Sequence, residues 1–88
     1  MIQSSKRILI ADDDEEIREL LEFDISQSGY IVDTAKDGLE GLNKALKNTY
    51  DLIILDVMMP KMNGFDVCRN IRQAKLAVPI LMLTAKGT

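Results

Sequence analysis

Apolar positions along the chain change period in a regular way. Residues 7–11, 51–55 and 79–84 form short runs dominated by Ile, Leu and Met, with the length and composition of strands buried on both faces. Between them the apolar residues recur every three or four positions. Over residues 15–28 they are Ile17, Leu20, Leu21 and Ile25, one stripe of a helix that Asp14 is placed to cap and Gly29 to stop. Residues 30–35 alternate weakly and predict a second strand. Residues 38–47 present Leu42, Ala45 and Leu46 behind a candidate cap at Asp37. Asn63-Gly64 then turns the chain into a third helix with Phe65, Cys68 and Ile71 as its apolar face. Pro79 opens the last strand at a position where a missing N–H is tolerated.

The pattern reads β-α-β-α-β-α-β. Strands that are apolar almost throughout, alternating with amphipathic helices, predict an α/β fold with a parallel sheet covered by helices, and right-handed crossovers limit its topology. In the flavodoxin-like doubly wound order 2-1-3-4-5, strands one and three are neighbours where the winding reverses, and ligands bind beyond their carboxyl ends. Those two strand ends carry acids: Asp12 and Asp13 after the first, Asp56 after the third.

Composition narrows the picture. Eighty-eight residues suffice for one small domain, and the 47% hydrophobic and 28% charged content is that of a globular chain. No internal repeat or low-complexity stretch interrupts it. The apolar runs are far shorter than the roughly 18 residues that would cross a bilayer, so no membrane association is expected. Too few apolar residues follow the polar start to form a secretory signal, which makes a cytoplasmic location the expectation. A net charge of −3 with scattered basic residues argues against a nucleic-acid surface in this segment. Cys68 is the single cysteine and reads as a core or boundary residue.

Three carboxylates crowded at one sheet edge repel one another, and the repulsion either raises their pKa values or recruits a cation. Hard oxygen donors suit Mg²⁺, which keeps several waters and shares a substrate phosphate. A carboxylate beside such an ion can attack a phosphoryl donor and form an acyl phosphate. Plainer readings stand beside this one. Residues 14–16 serve a helix N-terminus as acids, Asp56 could form a turn before Pro60, and Thr84 could reflect strand propensity alone.

The segments Ile8-Leu9-Ile10-Ala11-Asp12-Asp13-Asp14, Leu55-Asp56-Val57-Met58-Met59-Pro60 with Asn63-Gly64, and Leu83-Thr84-Ala85 resemble the signature of response regulator receiver domains from two-component signalling. The resemblance runs through essentially the whole chain, and its middle block is highly specific. It implies that Asp56 accepts a phosphoryl group from a histidine kinase. It implies Mg²⁺ as cofactor, with Asp13 and Asp56 as direct ligands, Asp12 holding a metal-bound water and Met58 lending its backbone carbonyl. It further implies that the Thr84 hydroxyl bonds a phosphoryl oxygen and that small Ala85 leaves room for the group. The expected protein is a regulatory phosphoacceptor, not an enzyme, with an output domain in a longer parent chain.

Receiver domains continue into a fourth helix, a fifth strand ending in an essential lysine and a fifth helix. Residues 1–88 therefore read as the first part of such a domain, in strand order 2-1-3-4, with phosphorylation impaired for want of the lysine. The fourth strand is expected at an open edge, where Ile80, Met82 and Leu83 invite pairing with a second copy and a homo-oligomer. Two alternatives compete: an inert self-associating fragment, and an aspartyl phosphatase of the haloacid-dehalogenase type using Asp12 of Asp12-Asp13-Asp14 as nucleophile.

Overall fold

A computed structural model of the chain describes residues 5–83. Its elements are β1 (Arg7–Ala11), α1 (Glu15–Gln27), β2 (Ile31–Ala35), α2 (Gly38–Lys47), β3 (Leu52–Asp56), α3 (Gly64–Gln73) and β4 (Ile80–Leu83). The strands form one parallel sheet in the order β2-β1-β3-β4, the doubly wound arrangement that the alternating pattern predicts. Each strand lies where its apolar run predicts. β3 is displaced by one residue: Asp51 stays outside, where its carboxylate accepts the Arg7 N–H at 2.8 Å, and Asp56 becomes the last strand residue. The ladder continues past it through Val57 N–H donating to the Leu83 carbonyl at 3.0 Å.

Successive strand residues face opposite sides of a sheet, so β1 and β3 feed two cores. Leu9, Ala11, Ile53 and Leu55 pack with Leu42 and Ala45 of α2 and Val67 and Ile71 of α3. Ile8, Ile10 and Ile54 face α1, whose Leu21 and Ile25 lie half-buried against them. Full burial of one such side chain is worth about 1.5–3 kcal/mol, so the central pair of strands is the most strongly held part of the fold.

The helices cap as their sequences predict. Asp14, Asp37 and Asn63 occupy the three N-caps, and each side-chain oxygen accepts a first-turn N–H. Gly29 ends the first helical segment at φ 96, a left-handed conformation that a side chain would disfavour. The apolar stripes are narrower than expected. Ile17 and Leu20 are exposed, and α1 buries no residue fully. Phe65 and Leu46 are also exposed, while Val67 takes the place assigned to Phe65. At about 100° per residue Phe65 lies some 200° around the helix from Val67, on the opposite face. Among the described residues β4 occupies one edge of the sheet, with Ile80, Met82 and Leu83 half-buried and Leu81 exposed. No described helix is long and apolar enough to cross a membrane.

Candidate acidic phosphoryl and metal site

The register Ile8↔Leu52 through Ala11↔Leu55 leaves β1 and β3 paired up to the same level. The residues that follow, Asp12 and Asp56, are thereby brought to one spot by backbone pairing before any side-chain choice is made. One carboxylate oxygen from each of Asp12, Asp13 and Asp56 lies within 4.8 Å of the others. Asp12 and Asp56 are 3% and 8% exposed, whereas Asp13 faces solvent. The three open onto a cleft of about 480 Å³ that Ile17, Met58 and Leu83 also line.

Local hydrogen bonds fix the two strand ends. Asp12 Oδ1 accepts the Asp14 N–H at 2.9 Å. Asp14 itself is committed to α1, its Oδ1 accepting from Glu16 at 2.9 Å and Ile17 at 3.2 Å. Glu15 and Glu16 fill the first turn, so residues 14–16 act as the helix-terminal acids that the sequence allowed. The Arg18 guanidinium reaches back to the Asp12 carbonyl at 2.8 Å. On the other side Asp56 Oδ1 accepts the Met58 N–H at 3.3 Å. Gly64 lies so close beneath that a Cβ there would overlap the Asp56 carbonyl.

Burial pushes the Asp56 carboxyl above the usual carboxylate range, repulsion from Asp12 and then Asp13 adds to this, and the Met58 N–H partly offsets it. Asp12 is pushed up for the same first reason, with the Asp14 N–H and Arg18 pulling the other way against Asp13 and Asp14. Among the described residues the ion pairs are made elsewhere, by Asp33, Glu40, Asp37 and Asp66. Two buried acids and one exposed acid, none in an ion pair among the described residues, form a donor set of oxygens alone. That set fits a hard divalent cation, which relieves the repulsion and matches the oxygen preference of Mg²⁺.

Of the residues singled out from sequence, Asp12, Asp13, Asp56 and Met58 meet in this cleft. Thr84 and Ala85 lie outside the described residues. Arg18 escaped notice, although its position one turn into α1 from the acidic loop was the available signal. A second polar cluster was also not foreseen. Asp33 Oδ2 accepts from Tyr50 Oη and Arg7 Nη2, both at 2.7 Å. The guanidinium carbon stands 5.2 Å from the Tyr50 ring centre, a cation–π contact. Tyr50 and Arg7 hold the Asp33 carboxyl below its usual range, and burial with the Asp33 bond pushes the Tyr50 hydroxyl up to about 12.

Residues 8–88 match the family model of the response regulator receiver domain. The chain is 55% identical over 82 residues to the alkaline phosphatase synthesis transcriptional regulatory protein PhoP of Bacillus subtilis (strain 168), across 93% of this chain and 34% of that protein. It is 48% identical over 81 residues to the response regulator ArlR of Staphylococcus aureus (strain Mu50), across 92% of this chain and 36% of that protein. The chain thus spans about a third of the length of these curated relatives. Among solved structures it superimposes on the response regulator TrrA of Thermotoga maritima in complex with Mg(2+)-BeF. The TM-score is 0.87 and the identity 45%, covering 93% of this chain and 71% of that one. It superimposes equally on a chain from the complex of the histidine kinase ThkA with TrrA, with TM-score 0.85 and 44% identity, covering 94% and 72%.

Proposed function

We infer that this chain, which belongs to the response regulator receiver domain family, accepts a phosphoryl group on Asp56 from a histidine kinase. The observation that carries the reading is the meeting of Asp12, Asp13 and Asp56 within 4.8 Å at the carboxyl ends of β1 and β3. Asp56 is a buried member of the trio at the end of β3, and its strand holds it in place while the cleft gives an incoming phosphoryl group access. A carboxylate oxygen of Asp56 attacks phosphorus in line as the P–N bond to the kinase's phosphohistidine breaks, leaving the imidazole on the kinase and an acyl phosphate on Asp56.

Asp13, Asp56 and the Met58 carbonyl would hold Mg²⁺ directly, and Asp12 through a water. The ion supplies charge neutralisation between the attacking carboxylate and the phosphoryl oxygens. The Mg(2+)-BeF complex of the similar protein TrrA supports Mg²⁺ as the ion. We assign Thr84 the switch hydroxyl and Ala85 the space beside the phosphoryl group, both from the family's pattern. The kinase as partner is supported by the ThkA complex of TrrA. Residues 1–88 would be the receiver part of a cytoplasmic regulator whose output domain lies in a longer parent chain, as the share of PhoP that is matched suggests. The protein is then a regulatory phosphoacceptor and not an enzyme with a separate substrate.

Treating the chain with a small phosphodonor and Mg²⁺ and mapping the labelled residue tests this. Label on Asp56, lost in Asp56→Asn, is expected. Label on Asp12 would instead fit the aspartyl phosphatase reading, which the use of Asp14 as a helix cap disfavours. The half-exposed β4 edge, with Leu81 50% exposed, favours a second property: pairing of the 88-residue chain with its own copy. A monomeric mass at every concentration in sedimentation would rule that out.

A further inference from the structure

Among the described residues that line the acidic cleft none belongs to α2, yet the first turn of α2 touches the backbone on both sides of it. Gly38 packs so tightly on the β3–α3 connection that a Cβ there would overlap the Met62 carbonyl. Its N–H donates to the Pro60 carbonyl at 3.4 Å. One turn on, a Cβ at Gly41 would stand 3.1 Å from the methyl of Ala11, the residue before Asp12. Beside Gly38, Asp37 is 5% exposed. One of its oxygens caps the helix by accepting the Glu40 N–H at 2.8 Å, and the other pairs with Lys61 Nζ at 3.7 Å. Lys61 sits at φ 70, a conformation that a side chain disfavours and that its surroundings must hold. Met62 N–H closes the turn onto the Pro60 carbonyl at 2.7 Å.

We propose that the first turn of α2 is a positioning element that sets the gap across the site. Gly41 seats the helix on β1 next to Asp12, and Asp37 and Gly38 hold residues 60–62, so that the connection carrying Met58 is placed at a fixed distance from the β1 acids. The inference rests on the Mg²⁺ reading above and concerns what tunes that site. Mg²⁺ requires near-octahedral ligands at about 2.0–2.1 Å, whereas Ca²⁺ accepts irregular ligands at about 2.3–2.6 Å. A methyl group at residue 38 moves the connection outward. It therefore penalises the smaller ion more than the larger one, a selectivity that general loss of stability does not produce.

The experiment is a titration of the isotope-labelled chain with Mg²⁺ and with Ca²⁺, followed through the amide shifts of Asp13 and Asp56. Gly38→Ala is expected to weaken Mg²⁺ binding about tenfold and Ca²⁺ binding much less, as for supporting residues around other metal sites. Lys61→Met is expected to weaken Mg²⁺ severalfold, with Lys61→Arg restoring it, and it carries the test if Gly38→Ala does not fold. An unchanged Mg²⁺ to Ca²⁺ ratio in both Gly38→Ala and Lys61→Met overturns the proposal. So does an equal change in Ile71→Val, a core substitution remote from the corner. If the unsubstituted chain shows no Mg²⁺-dependent shift at all, the metal reading itself fails and this inference falls with it.

Discussion

Replacing Asp56 by asparagine keeps the shape and the acceptor for the Met58 N–H but removes one charge from the acidic trio. At 4.8 Å, the upper limit of the separations there, a pair of like charges costs about 1 kcal/mol in water and about 3.5 kcal/mol at an effective dielectric of 20. Asp56 has two such neighbours. Asp12 is buried, so its repulsion lies toward the upper figure, while exposed Asp13 is screened and lies toward the lower. Solvent and side-chain relaxation relieve some of this, and the metal-free Asp56→Asn chain should be about 1–3 kcal/mol more stable than the parent near neutral pH. Urea unfolding followed by circular dichroism, in chelator and in Mg²⁺, measures the difference. Saturating Mg²⁺ should stabilise the parent, by about 2.7 kcal/mol at a hundred times its Kd, and leave Asp56→Asn nearly unmoved. The pH dependence carries the same sign. Because folding raises the pKa values of Asp12 and Asp56, the folded metal-free chain binds more protons than the unfolded one. Its stability therefore falls as pH rises from the usual aspartate value through those raised values. Asp56→Asn should flatten that slope. A metal-free Asp56→Asn chain no more stable than the parent would refute the electrostatic account of the site.

Other substitutions probe the packing and the second polar cluster. Gly64→Ala drives a methyl into the Asp56 carbonyl and should lower stability by about 2 kcal/mol or more in the same urea assay. Ile71→Ala empties a fully buried position and should cost about 2–5 kcal/mol, whereas Phe65→Ala, on the solvent side of the same helix, should change stability by less than about 0.5 kcal/mol. Tyr50→Phe removes the donor that does most to lower the pKa of Asp33 and should cost about 1.5–3 kcal/mol. The stabilisation from Asp33 is present above the usual aspartate value and is lost as pH falls through its depressed folded value. In Tyr50→Phe the folded value moves back toward the usual one, so that acid loss should be smaller and complete at a higher pH, which unfolding midpoints across the acid range will record.

The sheet order and the acidic trio were legible because both follow from backbone periodicity. Apolar runs of strand length separated by helices leave few topologies, and in the doubly wound one Asp12 and Asp56 arrive at adjacent strand ends whatever the surrounding side chains do. The depth of burial on each helix was not legible. Ile17 and Leu20 repeat at helical spacing, but periodicity says which residues share a face and not whether anything covers that face. Phe65 misled because its bulk outweighed its angle, and small Gly64 and Gly41 supplied contact where no apolar side chain signalled it. The Arg7, Asp33 and Tyr50 cluster was invisible for a different reason. It joins β1, β2 and the loop before β3 through side chains whose partners are set only by register, and charged residues such as Arg7 and Asp33 read as solvent-facing until that register is known.

The left-handed Lys61 has one further consequence. Asparagine and glycine adopt that conformation with less strain than lysine, so variation at this position among descendants of the chain trades two currencies against each other. Glycine would ease the turn and surrender the contact with Asp37, while lysine retains the contact and keeps the turn under tension. Lineages that drift to glycine here should show compensating change at Asp37, whose buried carboxylate would otherwise be left without its cation.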